Sequence, residues 1–407
     1  MGLGREGYSP MLLRQIVTQG GRYAFGEAAG NLRDLAGVSI SAVHIDTLVH
    51  RIGSEWSAKR DHDVAGFQHH ELARGYTQAP VAAAVMLDAG RAQVRAESSA
   101  PGAHAPQWRS PNYACCLTLP TSPKKVDPQP DPPAKFLEHK SVAKLTREMA
   151  RLHGTPVTRE PKPASKKAPE GRNTPRLLKP GKPKKRLRKY IVRTAVATLA
   201  AVHEFAQMVA AEVYKRGLDL ARFKACVCDG LPANWTVFNE VLKPLGFVPI
   251  LDFLHLLVYL YAAAQAAAGS EAHKWKLYDK WLRWTWGGQR EKLLVALQGQ
   301  ARRLGEPPDS AAESDPRKVL QTTVRYVTHN LDKMDYPRYR KLGLPISSAP
   351  VESLIKQFNR RVKSTEKFWT PSTLEAVLQV RAAELSEDNR TERQWSAPRG
   401  RARLAAA

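Results

Sequence analysis

At 407 residues the chain is long enough for a sizeable core and two or three domains, and its 43% apolar share excludes wholesale disorder. Its 63 Lys and Arg stand against 38 Asp and Glu, a formal charge of +25 that predicts a polyanionic partner, nucleic acid before anionic membrane. The start MGLGREGYSP carries no apolar h-region, which argues against secretion. Cys115, Cys116, Cys226 and Cys228 form no CxxC pair, which argues against a zinc site or disulfide framework and fits a reducing cytoplasm.

Residues 1–75 read as helices. In AFGEAAGNLRDLAGVSISAVHIDTLVHRIGSEW a helix, a turn at Gly37 to Ser41 and a second helix follow one another. Ser41 is the expected N-cap, and Leu48, Ile52 and Trp56 recur at helical spacing. This fits a helix-turn-helix-like domain whose second helix enters a major groove, and equally a structural helical hairpin. Residues 80–119 read as a three-strand meander: AAAVMLD, AQVRAE and YACCLTL. Residues 120–189 are rich in proline and lysine, too polar to bury a core. They are expected as a basic linker or phosphate-tracking arm, with one amphipathic helix near Ser141 to Leu152 and the basic run Lys184, Lys185, Arg186.

Over 190–255 strand and helix alternate: IVRTAVATL, AVHEFAQMVAAEVYKRG, a strand ending at Asp229, a helix around Trp235, and FVPILD ending at Asp252. The apolar run 250–268 approaches membrane-spanning length, but Asp252 and His255 break it, so it reads as a strand end and a buried helix. Residues 256–340 form an all-helical insertion with Trp275, Trp281, Trp284 and Trp286 close together. Residues 341–388 are the last helices, with Glu352 in the first turn of a basic one, and 389–407 read as a disordered tail.

Meander, then helix and strand alternation, is the order of an α/β RNase H-like core with a mixed five-stranded sheet. In that order the first and fourth core strands run parallel side by side. Asp88 and Asp229 close those two strands, and the helix of Glu352 can pack across their edge. Three carboxylates so placed suit two divalent ions, Mg²⁺ (or Mn²⁺), on a phosphodiester. Asp252 ends the fifth strand, one place further away, so it and His255 are expected in a supporting role. Duller roles exist for each: a turn for Asp229, a helix N-terminus for Glu352, a helix start for His255. Arg91, Lys356, Arg360, Arg361 and Lys363 supply a basic surface for DNA beside the acids.

The ordered series LDAGRAQVR, WRSPNYACCLTL, VCDGLPANW, ILDFLH and MDYPRYRKLGLPISSAPVESLIKQFNRRVKSTEKFW resembles a bacterial insertion-sequence transposase of the DDE class, in the Kra-type group related to Mutator-like elements. The likeness runs from Tyr8 to Asn389. It implies Asp88, Asp229 and Glu352 as the triad, ILDFLH as the acid-plus-histidine motif after the fifth strand, and a helical insertion before Glu352. It also implies strand cleavage and transfer, with terminal inverted repeats and target DNA as partners, a homo-oligomer, no membrane, and a nucleoid location. The chain departs from the family at Trp108-Arg109-Ser110-Pro111-Asn112, where an acid and a lysine are lost, and at Ser347-Ser348-Ala349, where glycines stand in relatives. The chain starts after the zinc-ribbon-like segment of relatives, and this with the altered patches gives a second expectation, a truncated, inactive remnant that only binds DNA; an RNase H-like nuclease without strand transfer is a third.

Overall fold

The computed structural model describes residues 7–75, 79–95, 107–120, 123–153, 190–363 and 367–396. Lys184, Lys185 and Arg186 lie outside the described residues. The N-terminal periodicity resolves into α1 (Pro10–Arg22), α2 (Phe25–Ala36) and α3 (Ala42–Gln68). Ser41 caps α3, its hydroxyl accepting from the His44 N–H at 3.1 Å. Gly37 ends α2 at φ 65°, in the left-handed region.

Four strands follow: β1 (Ala82–Ala89), β2 (Ala92–Val94), β3 (Gln107–Arg109) and β4 (Asn112–Leu119). Then come α4 (His139–His153), β5 (Val192–Thr198), α5 (Val202–Lys215), β6 (Phe223–Cys228), α6 (Pro232–Val237) and β7 (Val248–Leu251). Helices complete the described chain: α7 (Phe253–Ala267), α8 (Glu271–Trp286), α9 (Arg290–Leu304), α10 (Pro316–Asn330), α11 (Tyr336–Lys341), α12 (Ala349–Val362), α13 (Pro371–Leu385) and α14 (Arg390–Ser396). None of the described helices is long and apolar enough to cross a membrane.

The protein is mixed α/β, with a five-stranded mixed sheet in the order β5-β4-β1-β6-β7. β4 runs antiparallel to β1 and β5, whereas β1, β6 and β7 are mutually parallel. The expected meander is corrected in one respect. Its middle strand leaves the sheet and pairs with β3 as a separate ribbon, so the third core strand is β5. Pro111 has no N–H to continue the β1–β4 ladder. Gly90 passes so close to Tyr113 that a Cβ there would meet the ring at 2.7 Å. The hairpin therefore bends away at Gly90 and Pro111.

Side-chain alternation gives the sheet two faces. Ala83, Val85, Leu87, Cys226 and Cys228 join Phe205, Val209 and Val213 of α5 in one apolar core. The opposite face meets α12, against β4 and β1, and α13, along β5. There the Tyr113 and Phe358 rings lie 4.8 Å apart. Burying Phe358 contributes about 1.5–3 kcal/mol.

The chain divides into two compact units, one of Met1–Pro128, Tyr190–Leu254 and Arg338–Ala407, the other of Gln129–Lys189 and His255–Pro337. The N-terminal helices, expected as their own domain, cluster with the sheet. The expected linker begins as folded chain. Phe136, Val142 and Met149 are buried, the Trp286 indole donates to the Gln129 carbonyl at 2.9 Å, and His139 stacks on Trp275 at 3.8 Å. Those few apolar side chains offset the surrounding prolines and lysines. The expected disordered tail is likewise corrected at 390–396, where α14 forms. Arg390 there bonds Glu212 at 2.5 Å and Asp388 at 2.8 Å.

Candidate functional site

Register brings three aspartates into one row. Leu87 pairs with Cys228, and Cys228 with Leu251. The next residues, Asp88, Asp229 and Asp252, therefore stand side by side where three neighbouring parallel strands end. Strand spacing sets adjacent members about 4.8 Å apart at the backbone. The Asp252 N–H continues the ladder, donating to the Cys228 carbonyl at 2.7 Å. Asp88 has the parity of Ala84 and Met86, opposite to the α5 core, so the row lies on the side that α12 covers. All three aspartates are buried, Asp252 at 0% exposure.

Each carboxylate is held by a short local bond. Asp88 Oδ1 accepts from the Ala89 N–H at 2.7 Å. Asp229 Oδ1 accepts from the Leu231 N–H at 3.1 Å and from Asn234 Nδ2 at 2.9 Å. Asn234 also reaches the Leu87 carbonyl at 3.4 Å, tying β1, β6 and α6 together at the row. Asp252 Oδ1 accepts from the Leu254 N–H at 2.7 Å, a helix-capping bond for α7.

Glu352 lies in the first turn of α12, as its sequence context predicts, and is buried. Ser348, just before that turn, donates its hydroxyl to Asp252 Oδ2 and lies 3.5 Å from Glu352 Oε1. Asp252, His255 and Glu352 each bring a ligand atom within 4.8 Å of the other two, a geometry that can hold a metal ion. Among the described residues this is the trio so closely gathered, and Asp88 and Asp229 stand outside it. The supporting place expected for Asp252 and His255 rested on counting strands from β1. The start of α12 also brings Glu352 close to Asp252 at the β7 end.

Of the basic residues, Arg91, Lys356, Arg360 and Lys363 are exposed. Arg361 is a correction: it is buried, its Nε donating to the Gly20 carbonyl at 2.9 Å and its guanidinium lying over Phe25 (4.5 Å) and Trp369 (4.7 Å). Burial pushes its pKa down to about 10. It holds α12 against α1 and does not face solvent.

In the sequence Ser348 stands out only as a departure from the resembled family, and Tyr113 not at all. The Tyr113 hydroxyl is buried with no hydrogen-bond partner among the described residues, and burial, then the nearby Asp88 charge, hold its pKa above the ordinary phenol value. Its register opposite Asp88 was readable only once β1 and β4 were known to pair. No family model matches the chain, and no curated protein matches it.

Proposed function

We propose that this chain is a DDE-class DNA transposase: a polynucleotidyl transferase with an RNase H-like core that cuts and joins the ends of an insertion sequence. The observation that carries this reading is the row Asp88, Asp229 and Asp252 at three parallel strand ends, with Glu352 brought against it from α12. The strand order, two antiparallel pairs followed by two parallel additions, supports it. So does the excess of positive charge.

Four carboxylates and one imidazole form a donor set that fits hard divalent cations, Mg²⁺ or Mn²⁺, with the imidazole favouring Mn²⁺. Asp88, Asp229 and Glu352, joined by Asp252 and His255, would hold them. When bound, two such ions supply charge neutralisation and Lewis acidity for in-line displacement at phosphorus. Asn234 and Ser348 fix the orientation of Asp229 and Asp252, so that little reorganisation accompanies reaction. Exposed Lys356, Arg360 and Lys363 meet the phosphates of the incoming strand. The reaction is attack by water on a strand junction, followed by attack of the released 3′-hydroxyl on target DNA. Element ends and target DNA are the proposed partners, and a homo-oligomer the proposed assembly.

The test is a strand-transfer assay with terminal-repeat duplexes, target plasmid and Mg²⁺ or Mn²⁺. Cleavage with joining that is lost in Asp229→Asn supports the reading. Joining that survives Asp229→Asn overturns it. Hydrolysis without joining identifies a nuclease, and salt-sensitive binding without cleavage identifies a DNA-binding remnant.

A further inference from the structure

The ribbon beyond β1 has an inner and an outer strand. In β2, Ala92, Gln93 and Val94 are all buried, and in β3, Gln107, Trp108 and Arg109 are all exposed. The inner strand is tied down on its far side: Trp369 N–H donates to the Gln93 carbonyl at 3.1 Å, and Arg95 N–H to the Trp369 carbonyl at 2.8 Å. Trp369 is itself fixed, its indole N–H bonding the Val362 carbonyl at the end of α12 at 2.9 Å. The outer strand is thus held in place while its side chains face water. Trp108 is 49% exposed.

A single exposed apolar side chain is ordinary. This one differs in its surroundings. It pairs in register with Gln93, five residues past Asp88, so it lies at most about 17 Å along the strand from the carboxylate row. Arg91 and Arg95, both exposed, stand two residues either side of its partner Gln93 and so share its face of the ribbon. An indole face among guanidinium groups matches one chemistry well: an unstacked base whose phosphates are held by arginine.

Resting on the nucleic-acid reading above, we propose that Trp108 is a stacking platform for an unpaired base of the DNA strand whose backbone enters the carboxylate row. Stacking tolerates any base, because each has a π face, so the platform selects for strand opening and not for sequence. Arg91 and Arg95 hold the flanking phosphates.

The test uses the full chain and two probes of one sequence: a fork carrying 2-aminopurine in its unpaired arm, and the fully paired duplex. Binding is followed by anisotropy, with Ca²⁺ present to neutralise the carboxylates. Wild type is expected to hold the fork more tightly and to quench the 2-aminopurine. Trp108→Ala is expected to loosen the fork by about tenfold or more, leave the duplex within about twofold, and restore fluorescence; Trp108→Tyr is expected to keep most of the binding. Equal loosening of both probes, or no loosening, overturns the platform. If wild type binds neither probe, the nucleic-acid reading falls with it. If it binds both and Trp108→Ala changes nothing, the stacking assignment alone falls. Unchanged thermal melting of Trp108→Ala, expected for an exposed site, separates these outcomes from misfolding.

Discussion

Ser348 donates its hydroxyl to Asp252 across 96 residues of sequence, joining the start of α12 to the end of β7. The same oxygen lies 3.5 Å from Glu352, yet one hydroxyl proton serves one acceptor at a time. The bond therefore sets Asp252 in place and leaves Glu352 facing it. Ser348→Ala removes the donor from a buried carboxylate, and its expected cost is about 1–3 kcal/mol of stability. Urea unfolding measures this. An unchanged midpoint would show that the bond contributes nothing.

Asp252 decides between two arrangements of the site. If it stands among the reacting carboxylates, Asp252→Asn is expected to lower strand cleavage as deeply as Glu352→Gln, by more than about 100-fold. The fold should persist in both variants, as checked by circular dichroism. A loss below about tenfold for Asp252→Asn, beside a deep loss for Asp88→Asn, returns Asp252 to a supporting place.

Arg390 bonds two buried carboxylates, Glu212 and Asp388. Burial pushes the Glu212 carboxyl up, but the Arg390 charge and hydrogen bond, with a bond from Thr194 and the Arg216 charge, together hold it below its ordinary 4.5. Asp388, also buried, is likewise held below its ordinary 3.8 by bonds from Arg390. Depressed carboxyl pKa values mean that the unfolded chain binds more protons. The stabilisation is therefore complete above the ordinary carboxyl range and is lost as pH falls through the folded-state values. Arg390→Met is expected to destabilise by about 3–5 kcal/mol at neutral pH, because it strands two buried carboxylates. Its acid-unfolding midpoint is expected to move to higher pH, which a pH titration of circular dichroism reads directly.

Gly53 is the point where α3 crosses α13. A Cβ there would sit 2.7 Å from the Ala376 Cα, against backbone that cannot swing aside. Gly53→Ala is expected to lose about 1–3 kcal/mol despite the better helix propensity of alanine. Thermal unfolding measures the sign, and a stabilised variant would mean that the helices part without cost.

Much of the scaffold was legible because its signals are local. Ser41 marks a helix start, Glu352 sits in a first helical turn, and the apolar runs before Asp88, Asp229 and Asp252 are the strands themselves. Arg361 was legible too, had the stripe Val351, Leu354, Phe358 and Val362 been followed around α12, since Arg361 falls on its buried side. Other features are tertiary. Nothing local tells that AQV abandons the sheet, because the bend depends on Gly90 clearing the Tyr113 ring. Nothing local brings Ser348 to Asp252 either. Strand counting gives the distance of Asp252 from β1, and not the path of α12 that brings Glu352 near it.

The residues of the carboxylate site come from four separated stretches, ending with Glu352. During synthesis, which proceeds from the N-terminus, the three aspartates can be set in their row before α12 has emerged. The fourth acid arrives only when that helix leaves the ribosome and docks beside β1 and β4. A nascent chain therefore carries an incomplete site for most of its translation. The cluster of four acids is complete only late in synthesis.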